Sequence, residues 1–222
     1  MSYREMECPR KAEARKSTIV EMYRTYFSES LPETKQYWTM CGPHARNGVF
    51  IEESEMGQVL KAGLIKPHQF IGVDIDEEII AENRIARPDV LWIHDDFLKA
   101  MTVSFAKGLF KPGVINADFI CLKERGSFRA SEIMALLEDI DCRGVMLVAN
   151  IMLMNPHTDG NKSLDAMGNG KSVIKEFERW SSFQYAWGMG KWVIHPEFYT
   201  YRGTGKNSHT TMGSFVFARG VG

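Results

Sequence analysis

A chain of 222 residues, 44% hydrophobic and 25% charged, has the size and make-up of one globular unit with a buried core. Lys and Arg number 27 against 28 Asp and Glu, a net charge of −1, so the strongly basic class of nucleic-acid binders is excluded and only a local basic patch is left open. Cys8, Cys41, Cys121 and Cys142 form no CxxC pair, which excludes a zinc ribbon or dithiol redox motif and fits a reduced, cytoplasmic setting. The N-terminus is charged and has no apolar signal-peptide core, and no run approaches the roughly 18 apolar residues of a membrane helix.

The first element is a helix at about residues 10–30. Ile19, Met22, Tyr23, Tyr26 and Phe27 recur at helical spacing, and Leu31-Pro32 ends the pattern. Gln36 to Cys41 is a short β-prone run, followed by a loop from Pro43 to Glu53. Ser54 is placed to cap a helix beginning at Glu55. Gln69 to Asp74 predicts a strand. Glu77 to Ala86 predicts a helix carrying Ile79, Ile80 and Ile85, and Val90 to His94 another strand. A short helix is expected within Asp95 to Phe105, a strand over Val114 to Leu122 and a helix over Ser131 to Asp139. Gly144 to Met152 is almost continuously apolar, as a parallel strand covered on both faces reads. Met154 to Ser172 is a long polar loop, Val173 to Phe183 an amphipathic helix, and Glu197 to Arg202 and Met212 to Arg219 a hairpin with a long connection. Repeated βα units argue for a parallel sheet with helices on both faces. No linker suggests a second domain, so residues 1–222 are expected to form one.

Three short segments carry chemistry. In the strand Phe70 to Asp74 an apolar run ends in an acid, with Asp76 two residues on; either acid could instead cap the next helix. Trp92 to Phe97 places Asp95, Asp96 and Phe97 after the third strand, where a cap and a core aromatic are the plainer readings. Met40, Cys41 and Gly42 lead into a turn with only Gly42 and Gly48 for glycines, and Pro43 removes an N–H donor. The G-x-G-x-x-G that cradles a dinucleotide pyrophosphate is absent, which argues against a nicotinamide enzyme.

This ordering resembles the class I S-adenosylmethionine-dependent methyltransferases, over the stretch from about Gln36 to the C-terminus. The resemblance implies an α/β fold: a parallel Rossmann-like sheet with helices on both faces and a C-terminal antiparallel hairpin, seven strands in all. It implies S-adenosylmethionine as cofactor, Asp74 as the ribose-binding acid with Ile75 beside it, Asp96 (or Asp95) and Phe97 at the adenine, and Met40, Cys41 and Gly42 at the methionine end. The departure from a glycine-rich turn raises a second implication, that Glu52, Glu53 or Glu55 meets the cofactor's amino group, and a rival one, a degenerate binding or assembly subunit without catalysis.

The acceptor would sit near the end of the fourth strand, at Cys121 to Arg125. Lys123 and Glu124 are the substrate-side candidates, against a solvated loop. Asn150, a polar group inside an apolar run, needs a partner, either the substrate or neighbouring backbone. Signatures of DNA amino and cytosine C5 methylases are missing. No histidine pair has metal-ligand spacing, so no metal is expected. Lys162, Lys171, Arg202 and Lys206 favour a nucleic-acid acceptor over a small molecule.

Overall fold

The structure is a computed structural model that describes residues 15–119, 123–154, 181–189, 191–195, 199–202 and 211–220. A π-helical turn, Lys16–Glu21, runs into α1, Met22–Tyr26. Ile19, Val20, Met22 and Tyr23 are buried, so the apolar stripe packs as its spacing implies. The helix ends at Tyr26, before the proline, because Phe27 leaves helical geometry (φ −132°, ψ −84°). The expected start near residue 10 lies outside the described residues.

β1 is Gln36–Met40. The expected loop from Pro43 to Glu53 instead holds a small hairpin, β2 (Ala45–Arg46) and β3 (Val49–Phe50). Asn47 and Gly48 make its two-residue turn with φ of 52° and 74°. Both central residues are left-handed, the arrangement that Asn-Gly favours. α2, Glu55–Lys61, is capped by Ser54 Oγ, which accepts from the Gly57 amide. β4 is Phe70–Asp74 and α3 is Glu77–Ala86, the latter capped by Asp76. β5 is Leu91–His94, and α4, Phe97–Ala106, is capped by Asp96.

β6 is Pro112–Phe119; residues 120–122 of the expected strand lie outside the described residues. α5, Lys123–Asp139, starts a full two turns earlier than the expected helix over Ser131 to Asp139. Gly126 is the reason this early stretch fits: a Cβ there would come 3.0 Å from Ile151 Cγ2, so the glycine lets α5 lie close on β7. β7 is Val145–Met154 and α6 is Ser181–Met189, which runs beyond the expected end at Phe183. The long polar loop lies outside the described residues. Of the expected hairpin, the first strand is β9 (Tyr199–Arg202) and the second is β10 (Thr211–Arg219); a further strand, β8 (Trp192–Ile194), comes before them and was not expected.

The strands lie in the order β5-β4-β1-β6-β7-β10, with β8 and β9 both on the far edge of β10. The pairs from β5 to β7 are parallel, whereas β10 is antiparallel to β7. Two apolar layers sandwich the sheet. On one face Trp38, Ile71, Ile115 and Leu147 meet Phe97 and Met101 of α4 and Ile133 and Leu137 of α5. On the other Tyr37, Phe70, Val114 and Val148 meet Ile19, Tyr23, Met56, Val59 and Ile80. Ile85 does not join them; it is 72% exposed. No helix among the described residues is long and apolar enough to cross a membrane.

Candidate functional site

In an open parallel sheet, ligands sit at the carboxyl ends of the strands, where the order reverses. Here the order reverses at β1, which is flanked by β4 and β6. Register keeps the neighbouring ends level: Met40 pairs with Val73 and Asp74 with His94. The segments Met40 to Gly42, Asp74-Ile75 and His94 to Asp96 therefore open on one rim.

Of the two acids that the sequence offered as a cap, Asp76 takes that place. Asp76 caps α3, accepting from the amides of Glu78 (2.9 Å) and Ile79 (3.3 Å). Asp74 caps nothing. One carboxylate oxygen accepts from the Asp76 amide at 2.9 Å, and the group sits half-buried at the tip of β4. Burial pushes its pKa above the ordinary aspartate value, opposed by backbone amides at Asp76 and Ile75. A carboxylate so placed gains from further donors. Ile75 is 75% exposed, an apolar side chain on the rim whose carbonyl is hydrogen-bonded to His94 Nε2 at 3.0 Å.

The third segment is more committed to the fold. Asp96 accepts from the Lys99 amide at 3.0 Å as the cap of α4, and Phe97 is 4% exposed in the core under it. Asp95 pairs with Lys99 Nζ at 2.9 Å, and that hydrogen bond holds its carboxyl below the usual range. The cap and core readings thus describe Asp96 and Phe97 as they stand, with Asp95 next to them on the same rim.

The turn after β1 is built without a glycine-rich run. Cys41 is buried, and its amide donates to the Val73 carbonyl at 2.9 Å. Burial, with the Asp74 and Glu55 carboxylates adding to it, pushes its thiol well up, which leaves it a neutral packing group. Gly42 is exposed, and a Cβ built on it would meet nothing within 4 Å. Asn83 of α3, fully buried, donates to the Gly42 carbonyl (3.2 Å) and accepts from the His44 amide (2.8 Å). The His44 ring packs between Phe70 and Trp92, with centroids 5.4 and 5.5 Å away. Glu52 and Glu53 are exposed in the loop before α2. Glu55 instead turns inward, accepting from Tyr37 OH (2.8 Å) and pairing with Arg15 (3.5 Å).

On the acceptor side the structure changes two readings. Lys123 and Glu124 belong to the first turn of α5 rather than to a solvated loop. Asn150 is buried and, among the described residues, its side chain meets two other side chains. Its amide donates to Asn116 Oδ1 at 2.8 Å and its carbonyl accepts from Ser214 Oγ, a buried polar row across β6, β7 and β10. Asp118 pairs in register with Asn150 near the end of β6. Sequence reading missed Asn83, Asn116, Asp118 and Ser214. Two of them carried a signal: Asn83 follows Ile79 and Ile80 at i+4 and i+3, an inward helical position, and Asn116 alternates with Val114 on the covered face of β6. A shallow depression at the opposite end of the sheet, lined by Lys35, Phe105, Phe110, Lys111 and Cys142, has no acid in its lining.

No protein family and no curated protein matches the sequence. Solved structures do match. An O-methyltransferase from Bacillus cereus, in complex with SAH, superposes with a TM-score of 0.53 at 9% identity, over 98% of this chain and 84% of that one. A TehB-like SAM-dependent methyltransferase from Corynebacterium glutamicum gives 0.45 at 12% identity, over 93% and 87%. The type IIG restriction endonuclease BpuSI gives 0.48 at 12%, over 99% of this chain and 26% of that one. The chain has the class I methyltransferase fold: a parallel sheet, helices on both faces and an antiparallel last strand inserted beside the fifth.

Proposed function

We propose that the chain binds S-adenosylmethionine across the ends of β1, β4 and β5 and that it is a methyltransferase. Asp74 carries the reading. It is a half-buried carboxylate at the tip of the second strand of the sheet order, spared from capping and beside an exposed Ile75. Two vicinal ribose hydroxyls donate well to one such charged acceptor. Ile75 offers an apolar surface to the adenine ring, with Asp95 and Asp96 along the same rim. Gly42, next to Cys41 whose amide is tied to β4, lets the methionine end approach the backbone.

The cofactor supplies an electrophilic methyl group on a sulfonium. The chain then needs to hold the acceptor in line with it and keep it there, because positioning alone supplies much of such an acceleration. β1 ends at Met40 and pairs with β6 as far as Asn116, two residues before Asp118, so the donor and acceptor sides share one end of the sheet. For the acceptor the reading is a nucleic acid, supported by Lys162, Lys171 and Lys206, outside the described residues, and by Arg202 in β9.

The test is thermal unfolding with and without ligand. S-adenosylhomocysteine at 100 times its dissociation constant stabilises by about 2.7 kcal/mol, a rise in Tm of roughly 5–10 °C for a chain of this size. No rise at high excess sinks cofactor binding and leaves the catalytically silent scaffold. Binding of RNA and DNA across a salt series checks the acceptor: affinity falling steeply with salt supports it, and a flat response leaves a small acceptor.

A further inference from the structure

The turn after β1 lacks the glycines that usually let a backbone wrap a ligand, yet it is held in one shape. Its left-handed residues are Asn47 and Gly48, in the hairpin beyond, and Gly42 is not among them. Among the described residues, a Cβ at Gly42 would also touch no atom within 4 Å. Neither the conformation nor the neighbours of Gly42 call for glycine; a side chain there would obstruct only the space above the rim. Pro43 gives no N–H, so the turn cannot fasten itself with a donor at that point. The fastening comes from another element. Asn83 spends both ends of one buried amide on the turn, its Nδ2 on the Gly42 carbonyl and its Oδ1 on the His44 amide. Ile51 closes the base of the turn by donating to the His44 carbonyl at 2.8 Å. Arg87, the residue that follows α3, lies over the Phe50 ring at 5.0 Å, so the hairpin is also held at the end of that helix.

We propose that Asn83 is the positioning residue of the cofactor site, replacing the glycine-rich turn: its amide draws the Gly42 carbonyl inward and so presents the bare Cα of Gly42 to the ligand. The inference rests on the cofactor reading above. A buried amide satisfied at both ends fixes a unique geometry, whereas a permissive glycine run allows many. The turn is therefore set before the ligand arrives, and little ordering remains to oppose binding.

Calorimetric titration with S-adenosylhomocysteine tests it, on wild type, Asn83→Ala, Asn83→Asp and Ile80→Val. Asn83→Ala should weaken binding at least tenfold. Asn83→Asp keeps the shape and the acceptor for His44 but loses the donor to Gly42, and should fall between the two. Ile80→Val trims the same helix without touching these hydrogen bonds and should stay within twofold of wild type. Both Asn83 variants binding within twofold of wild type overturns the inference, as does Ile80→Val losing affinity in step with Asn83→Ala at a matched fall in Tm. Wild type failing to bind at all is a different result, and overturns the cofactor reading itself.

Discussion

Burial raises the Asp74 carboxyl above the ordinary aspartate range, and the two states of the group then matter in opposite directions. For folding, the charged form is the costly one. The native state holds the proton more tightly than the unfolded chain, so this contribution to stability falls as pH rises through the raised pKa and is recovered below it. For a ribose the charged form is the useful one, so affinity for S-adenosylhomocysteine should rise over the same window, above the usual aspartate range. Binding measured by calorimetry against pH should show that rise, and Asp74→Asn should remove it while weakening binding by roughly 10–100-fold, the worth of a lost charged hydrogen bond of about 1.5–3 kcal/mol. Gly42→Ala makes a second prediction at this scale: Tm unchanged within about 1 °C, since its Cβ meets no atom of the described residues, with clearly weaker binding. The place of Asp74 at a strand tip was legible because a strand ending in an acid is a local pattern. Asn83 was not, because its meaning lies in two backbone groups 41 and 39 residues away.

The elements were readable wherever a cap and a period agreed. Ser54 and Asp76 both cap as their positions implied, and α3 spans the residues its pattern predicts. Elements were misread where a close approach, not a pattern, decides. Gly126 looks like a loop residue and is needed inside α5, and β8 is three residues long, too short for alternation to show. Gly57 in α2 makes the same point as a measurement. Helix propensity favours alanine there by about 1 kcal/mol. Yet a Cβ on Gly57 would stand 2.0 Å from the Glu52 carbonyl oxygen, and backbone cannot swing aside as a side chain does. Gly57→Ala should therefore destabilise, by about 1–3 kcal/mol as overpacking does. Urea unfolding checks the sign; a gain in stability would show that the loop before α2 yields freely.

At the scale of the molecule, the sheet is closed by its last strand. β10 lies between β7 and the pair β8 and β9, and its end is clamped to α5. Arg219, 3% exposed, pairs with the buried Glu138 at 3.3 Å and with Asp141 at 3.1 Å, and donates to the Leu137 and Cys142 carbonyls. Lys191 Nζ (3.0 Å) and Trp192 Nε1 (2.9 Å) still donate to Glu138 once the guanidinium is gone, so Arg219→Ala should cost about 1.5–3 kcal/mol, the worth of its own charged hydrogen bonds, read as a lower urea midpoint at unchanged slope. The overall layering was legible from alternating βα units. The clamp was not, since it joins a strand end to a helix end through a network that no spacing records. The place of β10 also fixes an order of events on the ribosome. β7 emerges with its outer edge bare, a long apolar ribbon ready to pair with any strand it meets. β8 and β9 follow, but the strand they pair with has yet to be made. Until β10 is made, β7 is paired on its β6 side alone and β8 and β9 lack the strand they pair with, so the nascent chain exposes strand edges that the finished sheet covers.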